Sequence, residues 1–255
     1  MKKSNIFSNK SEPTLVDIYF DLYLKLQEEV GEDIILKGNI LLNKILPDNA
    51  RSTIDLDTSI INEKIYYECA VPVLEEFGED CINEGLADTF EVREIKERRS
   101  GGIDLKLGGS KVLSVDISLQ KIFSLYSFKK YLFDLREIKG ASVEKIMADK
   151  CLSTLSKKRF RRAKDFYDLW IIKKSGLEYD YTIIKKLMIK TVGNEKYNKL
   201  LDNYPFSEEI IIHMVHAWRK LNLTRDNDGT DIDKPNFNEV LNTCSTIYSK
   251  LQVEV

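Results

Sequence analysis

The stretch Lys37-Gly38-Asn39-Ile40-Leu41-Leu42-Asn43-Lys44-Ile45-Leu46-Pro47-Asp48-Asn49-Ala50-Arg51-Ser52-Thr53-Ile54-Asp55-Leu56-Asp57 decides how this chain is read. An apolar run, Ile34-Ile35-Leu36, leads into it, and a short apolar helix (Ile40, Leu41, Leu42, Ile45, Leu46) follows the Lys-Gly-Asn turn. Pro47 ends that helix, because the residue before a proline is pushed out of the α region. Side chains alternate along a strand, so Thr53, Asp55, Asp57 and Ser59 share one face while Ile54, Leu56 and Ile60 take the other. Two carboxylates two residues apart on one strand face repel each other, and a divalent cation relieves that repulsion. The pattern points to a metal site for phosphoryl-group chemistry. Gly38-Asn39 at the helix start adds a phosphate cradle, since glycine lets the backbone approach closely and a helix N-terminus offers free N–H groups.

A second stretch supplies a third carboxylate. Thr89 to Glu97 reads as a strand, Ser100-Gly101-Gly102 as a turn, Ile103 to Leu107 as a second strand and Gly108-Gly109 as a second turn. In a third strand, Val112 to Leu119, Leu113, Val115, Ile117 and Leu119 point one way and Ser114, Asp116 and Ser118 the other. This repeats the pattern around Asp55 and makes Asp55, Asp57 and Asp116 a candidate three-carboxylate cluster. Two Mg²⁺ ions held by such a cluster would activate an acceptor hydroxyl and neutralise a triphosphate in an in-line displacement.

The rest of the chain is organised around these strands. Residues 1–12 are polar and expected to fray, and residues 13–30 carry Leu15, Ile18, Tyr19, Leu22 and Leu26 at helical spacing, closed by Gly31. Thr58 or Ser59 is placed to cap a helix running to about Gly78, which Pro72 kinks or divides. Beyond residue 120 the pattern reads as helical: Ser142 caps a segment from Val143 to about Ser156, and further helices cover 164–174, 180–191, 207–222 and 236–251, with a polar loop over 224–235.

Among the 255 residues, 43% are hydrophobic and 31% charged, the balance of an ordinary soluble globular protein long enough for one large domain or two modest ones. Thirty-nine basic against 41 acidic residues leave a net charge of -2, which argues against a whole-surface nucleic-acid field. The densest positive patch is local: six of the eight residues from Lys157 to Lys164 are basic, suited to a nucleic-acid backbone or nucleotide phosphates, or simply to a solvated loop. Asp165 and Asp168, one turn apart at the next helix start, sit where capping carboxylates belong. His213 and His216 lack a third ligand nearby and read as helix-packing residues, with Met214, Trp218 and Leu221 as core. Four scattered cysteines without a Cys-x-x-Cys, no secretory signal pattern and no long apolar run lead to the expectation of a reduced, cytoplasmic protein with no membrane partner.

Taken together, these residues resemble the AbiEii/AbiGii family of bacterial toxin nucleotidyltransferases, within the DNA-polymerase-β-like superfamily. Lys37-Gly38-Asn39 through Arg51-Ser52-Thr53-Ile54-Asp55-Leu56-Asp57 looks like the family's first motif, and Ser114-Val115-Asp116-Ile117 is similar to its third-carboxylate strand. Ala148-Asp149-Lys150-Cys151-Leu152 and Lys164-Asp165-Phe166-Tyr167-Asp168-Leu169 look like its two later helices, with Lys164 standing where the family has arginine. The likeness spans roughly residues 30–175.

The resemblance implies a mixed α/β (α+β) fold: a polymerase-β-like nucleotidyltransferase core with a mixed sheet over 13–140, and a helical C-terminal domain over 141–255. It implies Mg²⁺-dependent transfer of a nucleotide from an NTP, with transfer RNA as one known acceptor class. It also implies a toxin role, in growth arrest, abortive infection or phage defence, opposed by an antitoxin. By this carry-over Asp55, Asp57 and Asp116 hold metal, Lys150 contacts the triphosphate and Asp165 supports the site; Lys37, Gly38, Asn39 and Arg51 belong to the nucleotide-binding set. A protein or small-molecule acceptor, such as an aminoglycoside, and a catalytically silent nucleotide-binding module remain the rival readings.

Overall fold

The computed structural model describes residues 14–47, 50–53, 55–95, 100–120, 126–156, 159, 162–224 and 231–253. The fraying of residues 1–12, the facing of Ile54, the strand end at Glu97, half of the basic run (Lys157, Lys158, Phe160, Arg161) and loop residues 225–230 lie outside them.

The described chain forms two compact units, one up to Ala141 and one from Ser142 onward. The first is built on a seven-stranded mixed sheet. Its strands are β1 (Ile34–Lys37), β2 (Asp55–Ile60), β3 (Thr89–Arg93), β4 (Ser100–Leu107), β5 (Ser110–Leu119), β6 (Phe128–Phe133) and β7 (Arg136–Ala141), in the order β3-β4-β5-β2-β1-β7-β6. β2 pairs in parallel with β5 and β1 with β7; the other neighbours are antiparallel.

Helices cover the sheet where its side chains are apolar. α1 (Leu15–Val30) is opened by a capping box between Thr14 and Asp17 and closed by Gly31 at φ 71. α2 (Gly38–Ile45) connects β1 to β2. Beyond β2 lie α3 (Glu63–Ile65), a π-helical turn (Tyr66–Ala70) and α4 (Val71–Asn83). Leu56, Ile60, Ile103, Leu105, Val115 and Ile117 are buried, and α1, α2 and α4 pack on the sheet. At about 25 cal/mol per Å² of apolar surface, each fully buried side chain of this kind contributes about 1.5–3 kcal/mol.

Several sequence expectations need correction here. Thr58 and Ser59 do not cap a helix, because their backbones are engaged by β1 and β5 to the end of β2; Asn62 caps instead, accepting from the Ile65 N–H. The helix continues past Gly78, whose missing side chain leaves room for the Phe90 ring. Ser100-Gly101-Gly102 is strand rather than turn. A Cβ at Gly101 would strike the Tyr66 ring, and one at Gly102 the Val115 carbonyl, so glycine is required inside β4. The β6–β7 hairpin was unforeseen; its turn residues Asp134 and Leu135 adopt φ 48 and 64 without a glycine to announce them.

The second unit is helical: α5 (Val143–Thr154), α6 (Ala163–Lys174), α7 (Tyr181–Val192), α8 (Asn194–Leu201), α9 (Glu208–Arg219) and α10 (Phe237–Gln252). Phe166, Tyr167, Leu169, Cys151, Cys244 and Tyr248 are buried in it, and the Tyr248 hydroxyl donates to Thr154 Oγ1 at 2.7 Å. All four cysteines are free thiols. His213 and His216 are exposed on α9 rather than packed, while Met214 and Trp218 are buried.

Candidate active site

The register of the sheet assembles the site. Lys37, Asp57, Asp116, Gly102 and Arg93 are partners in one row across β1, β2, β5, β4 and β3. The adjacent row on the same face is Asp55, Ser114, Asp104 and Glu91. Asp57 and Asp116 therefore stand side by side on parallel strands, with Asp55 one step along β2. Ser59 and Ser118 occupy the row on the other side, their hydroxyls 2.8 Å apart, and the Lys37 ammonium donates to Ser118 Oγ at 2.8 Å.

α2 begins against this row. Lys37 is its N-cap, and Gly38 lies at φ 69. A Cβ on Gly38 would collide with the Asp57 carboxylate, so only a bare backbone fits beside it. Asn39 turns away from this point: it is buried, and its amide donates to the Arg51 carbonyl, which Asn43 Nδ2 also reaches at 2.9 Å. Arg51 is itself buried and donates to the Ser52 carbonyl at 3.2 Å. These two residues of the expected nucleotide-binding set brace the α2–β2 connection in this structure.

Three charged residues escaped the sequence reading. Arg93 donates from Nη2 to Asp116 Oδ1 at 2.7 Å and to the Val115 carbonyl at 2.6 Å, with Nε 3.5 Å from Asp104 Oδ1. Asp104 also accepts from Lys111 Nζ and Ser114 Oγ, each at 2.8 Å. Burial pushes the Asp104 carboxyl up, but Lys111, Ser114 and Arg93 outweigh it and hold the group below its ordinary value. Asp104 alternates with Ile103 and Leu105, a signal present in the sequence; Arg93 could be placed only with Gly102 read as strand.

The helical unit gathers its own cluster. Lys150 Nζ lies 2.8 Å from Asp165 Oδ1 and 2.6 Å from Asp168 Oδ2, with side-chain exposures of 14%, 13% and 0%. Ser153 Oγ donates to the other Asp165 oxygen at 2.7 Å. The structure thus joins Lys150 with Asp165, and corrects the capping role: Asp165 and Asp168 point back to α5, and α6 has no side-chain cap. Of the basic run, Arg159 is buried against the Phe206 ring at 5.2 Å, whereas Arg162 and Lys164 are exposed.

Oxygen donors of this kind suit a hard divalent cation, and the missing side chain at Gly38 gives the Asp57 carboxylate the room it occupies. Among the described residues no three acidic, imidazole or thiol groups are already gathered around one point, so a cation would have to draw Asp55, Asp57 and Asp116 together.

The family model described as "Nucleotidyl transferase AbiEii toxin, Type IV TA system" matches residues 23–242. The chain belongs to this family. It is accordingly a nucleotidyltransferase with an NTP as donor substrate, and a toxin of a toxin–antitoxin system, which implies an antitoxin partner. The nucleotidyltransferase toxin MenT4 from Mycobacterium tuberculosis H37Rv is similar in fold, with a TM-score of 0.52 at 16% identity over 94% of this chain and 84% of that one. So is a Helicobacter pylori protein classed as a nucleotidyltransferase, with a TM-score of 0.50 at 12% identity over 91% and 92%. No curated protein matches the sequence. No helix among the described residues is long and apolar enough to cross a membrane.

Proposed function

We propose that this AbiEii-type enzyme transfers a nucleotidyl group from an NTP to an RNA acceptor, transfer RNA being the class that the family resemblance offers, and does so with Mg²⁺ held by Asp55, Asp57 and Asp116. The observation that carries the reading is the pairing of Asp57 with Asp116 on adjacent parallel strands, beside a glycine backbone that the Asp57 carboxylate approaches closely. Bound magnesium would supply charge neutralisation of the triphosphate and a lowered pKa for the attacking hydroxyl.

The protein's own groups have separable tasks in this reading. Asp57 and Asp116 hold the ions and, through them, orient donor and acceptor. Gly38 and the first N–H groups of α2 would face the triphosphate, and a side chain at 38 would push on the Asp57 carboxylate beside it. Lys37 keeps its charge beside the row through Ser118, and Asn39 and Arg51 fix the α2–β2 connection that sets the height of Asp55. In the helical unit, Lys150 is the triphosphate contact and Asp165 its support, with Asp168 and Ser153 completing the bracing. An antitoxin that opposes growth arrest in the cytoplasm completes the biological side of the reading.

The test is a labelling screen. NTPs labelled at the α-phosphate are incubated with the protein, Mg²⁺ and either total RNA or cell lysate. Label on RNA is the expected outcome. Label on a protein band or on an added aminoglycoside would overturn the RNA acceptor, and nucleotide binding by calorimetry with no transfer at all would overturn catalysis.

A further inference from the structure

Arg93 reaches its partners by an unusual route. It sits at the end of β3, two strands from Asp116 on β5, and its register partner on the intervening strand is Gly102. A Cβ at Gly102 would lie against Arg93 Nη2 and the Val115 carbonyl, so the guanidinium crosses β4 over bare backbone. Tyr66 ties the start of that crossing to its middle: its hydroxyl donates to the Arg93 carbonyl and accepts from the Gly102 N–H at 2.8 Å. The guanidinium then binds Asp116 through one oxygen, Oδ1, and the Val115 carbonyl fixes it from a second direction. The Asp116 side chain is still 45% exposed. Asp104, itself pinned by Lys111 and Ser114, balances the arginine from the far side.

We infer that Arg93 is a positioning residue of the carboxylate row: by occupying Oδ1 it presents Asp116 to a divalent cation through a single oxygen in a fixed rotamer. This inference rests on the proposed role of Asp55, Asp57 and Asp116 as metal ligands. It carries a trade-off. A fixed cation beside the carboxylates weakens their attraction for a second cation, yet it sets the direction from which Asp116 binds. Arginine is suited to this because Nη2 holds Asp116 Oδ1 and the Val115 carbonyl while a second nitrogen, Nε, lies 3.5 Å from Asp104 Oδ1. One planar group meets oxygens from two nitrogens, which the single ammonium of lysine does not reproduce.

The experiment reads metal affinity and turnover separately. Wild type, Arg93→Met and Arg93→Lys are compared for Mn²⁺ binding, by calorimetry or electron paramagnetic resonance without NTP, and for kcat and KM in the RNA-labelling assay. The expected result for Arg93→Met is a kcat at least tenfold lower with KM for NTP little changed. Its Mn²⁺ affinity is expected to be unchanged or tighter by up to about thirtyfold, the order of effect when a unit charge about 4 Å from a divalent ion is removed in a water-like medium. Arg93→Lys keeps the charge but not the planar group that meets Asp116 from Nη2 and Asp104 from Nε, so it should hold wild-type Mn²⁺ affinity and still lose turnover.

A kcat within twofold of wild type in both variants would overturn the inference. So would Mn²⁺ affinity falling in step with kcat, which marks a residue that merely supports the fold. If Arg93→Met does not fold, the lysine variant decides by the same two readings. Asp57→Ala separates the levels: transfer surviving in that variant sinks the carboxylate reading itself, whereas transfer lost there but intact in the arginine variants sinks only the role of Arg93. If no acceptor takes label from the wild type, the Mn²⁺ readings alone decide, and weaker binding in Arg93→Met overturns the inference.

Discussion

Aspartate and lysine appear in two places in this molecule with opposite treatment. In the sheet, Asp57 and Asp116 lie side by side as like charges in adjacent strands, partly exposed, with the Asp57 carboxylate close against the Gly38 backbone. In the helical unit, one lysine is shared by two carboxylates, and all three are almost withdrawn from water. In the first, two like charges stand on neighbouring strands, with Arg93 on one oxygen of Asp116, and an added cation would relieve the repulsion that remains. In the second, one lysine offsets part of the charge of two aspartates inside the fold. The sheet site therefore spends little of the fold's stability on its charges, and changes there should read out in activity. The helical cluster is part of the fold, and changes there should read out in stability first.

The largest expected effect tests the open site. Asp57→Ala should lower transfer about a thousandfold, since metal-assisted charge stabilisation contributes several kcal/mol to the transition state. Its thermal midpoint should stay within about 2 °C of wild type or rise, because removing one of two like charges relieves repulsion. A fall in stability as large as the fall in activity would break the distinction between the two regions.

Lys150→Met tests the closed one. It strands Asp165 and the fully buried Asp168 without their cation, and breaking a buried pair in this way costs about 3–5 kcal/mol. Urea unfolding of this variant should show that loss. The double variant Lys150→Met, Asp168→Leu should regain part of the stability but no transfer, if Lys150 also meets the triphosphate as proposed. Full transfer in the double variant would make the cluster a purely structural device.

The sequence announced the open site better than the closed one, for a physical reason. Alternation along β2 and β5 is a local property, so the sharing of a face by Asp55, Asp57 and Asp116 follows once each segment is a strand. That the two strands are neighbours in register required only the parallel pairing the fold family implies. Local rules failed where tertiary contacts overrode them. Gly101-Gly102 reads as a turn until the Tyr66 ring and the Arg93 side chain fill the space above it, and Arg93 became invisible with that error. The β6–β7 turn uses Leu135 at φ 64, a conformation costing about 1–2 kcal/mol that no propensity would choose. Asp165 and Asp168 sit where capping is the local optimum, but a lysine fifteen residues upstream claims Asp165 at 2.8 Å.

Gly38→Ala sharpens the comparison at the boundary between backbone and site. The left-handed φ of 69 costs an alanine about 1–2 kcal/mol, and its methyl group would displace the Asp57 carboxylate. Stability should fall by that modest amount while transfer falls at least a hundredfold, with Mn²⁺ affinity weakened. An alanine variant that loses only stability would show that close approach at this turn serves the fold alone.

The smallest effect concerns Asp104, a carboxylate on the sheet face that, like those of the helical cluster, is held by a lysine. Its carboxyl is held below the ordinary value against the opposing push of burial, by Lys111, Ser114 and Arg93. A depressed folded-state pKa contributes stability that is present above the unfolded carboxyl value, near 4, and is lost as pH falls through the lower folded value. Urea midpoints of the wild type should therefore drop below about pH 4, and Lys111→Met should reduce the part of that drop belonging to Asp104. Because the pair is only partly buried, with Lys111 42% exposed, the change at neutral pH should be no more than about 1 kcal/mol and should shrink further in high salt. Identical acid limbs for wild type and Lys111→Met would show that the lysine does not set the charge of Asp104, and would leave that task to Arg93 and Ser114.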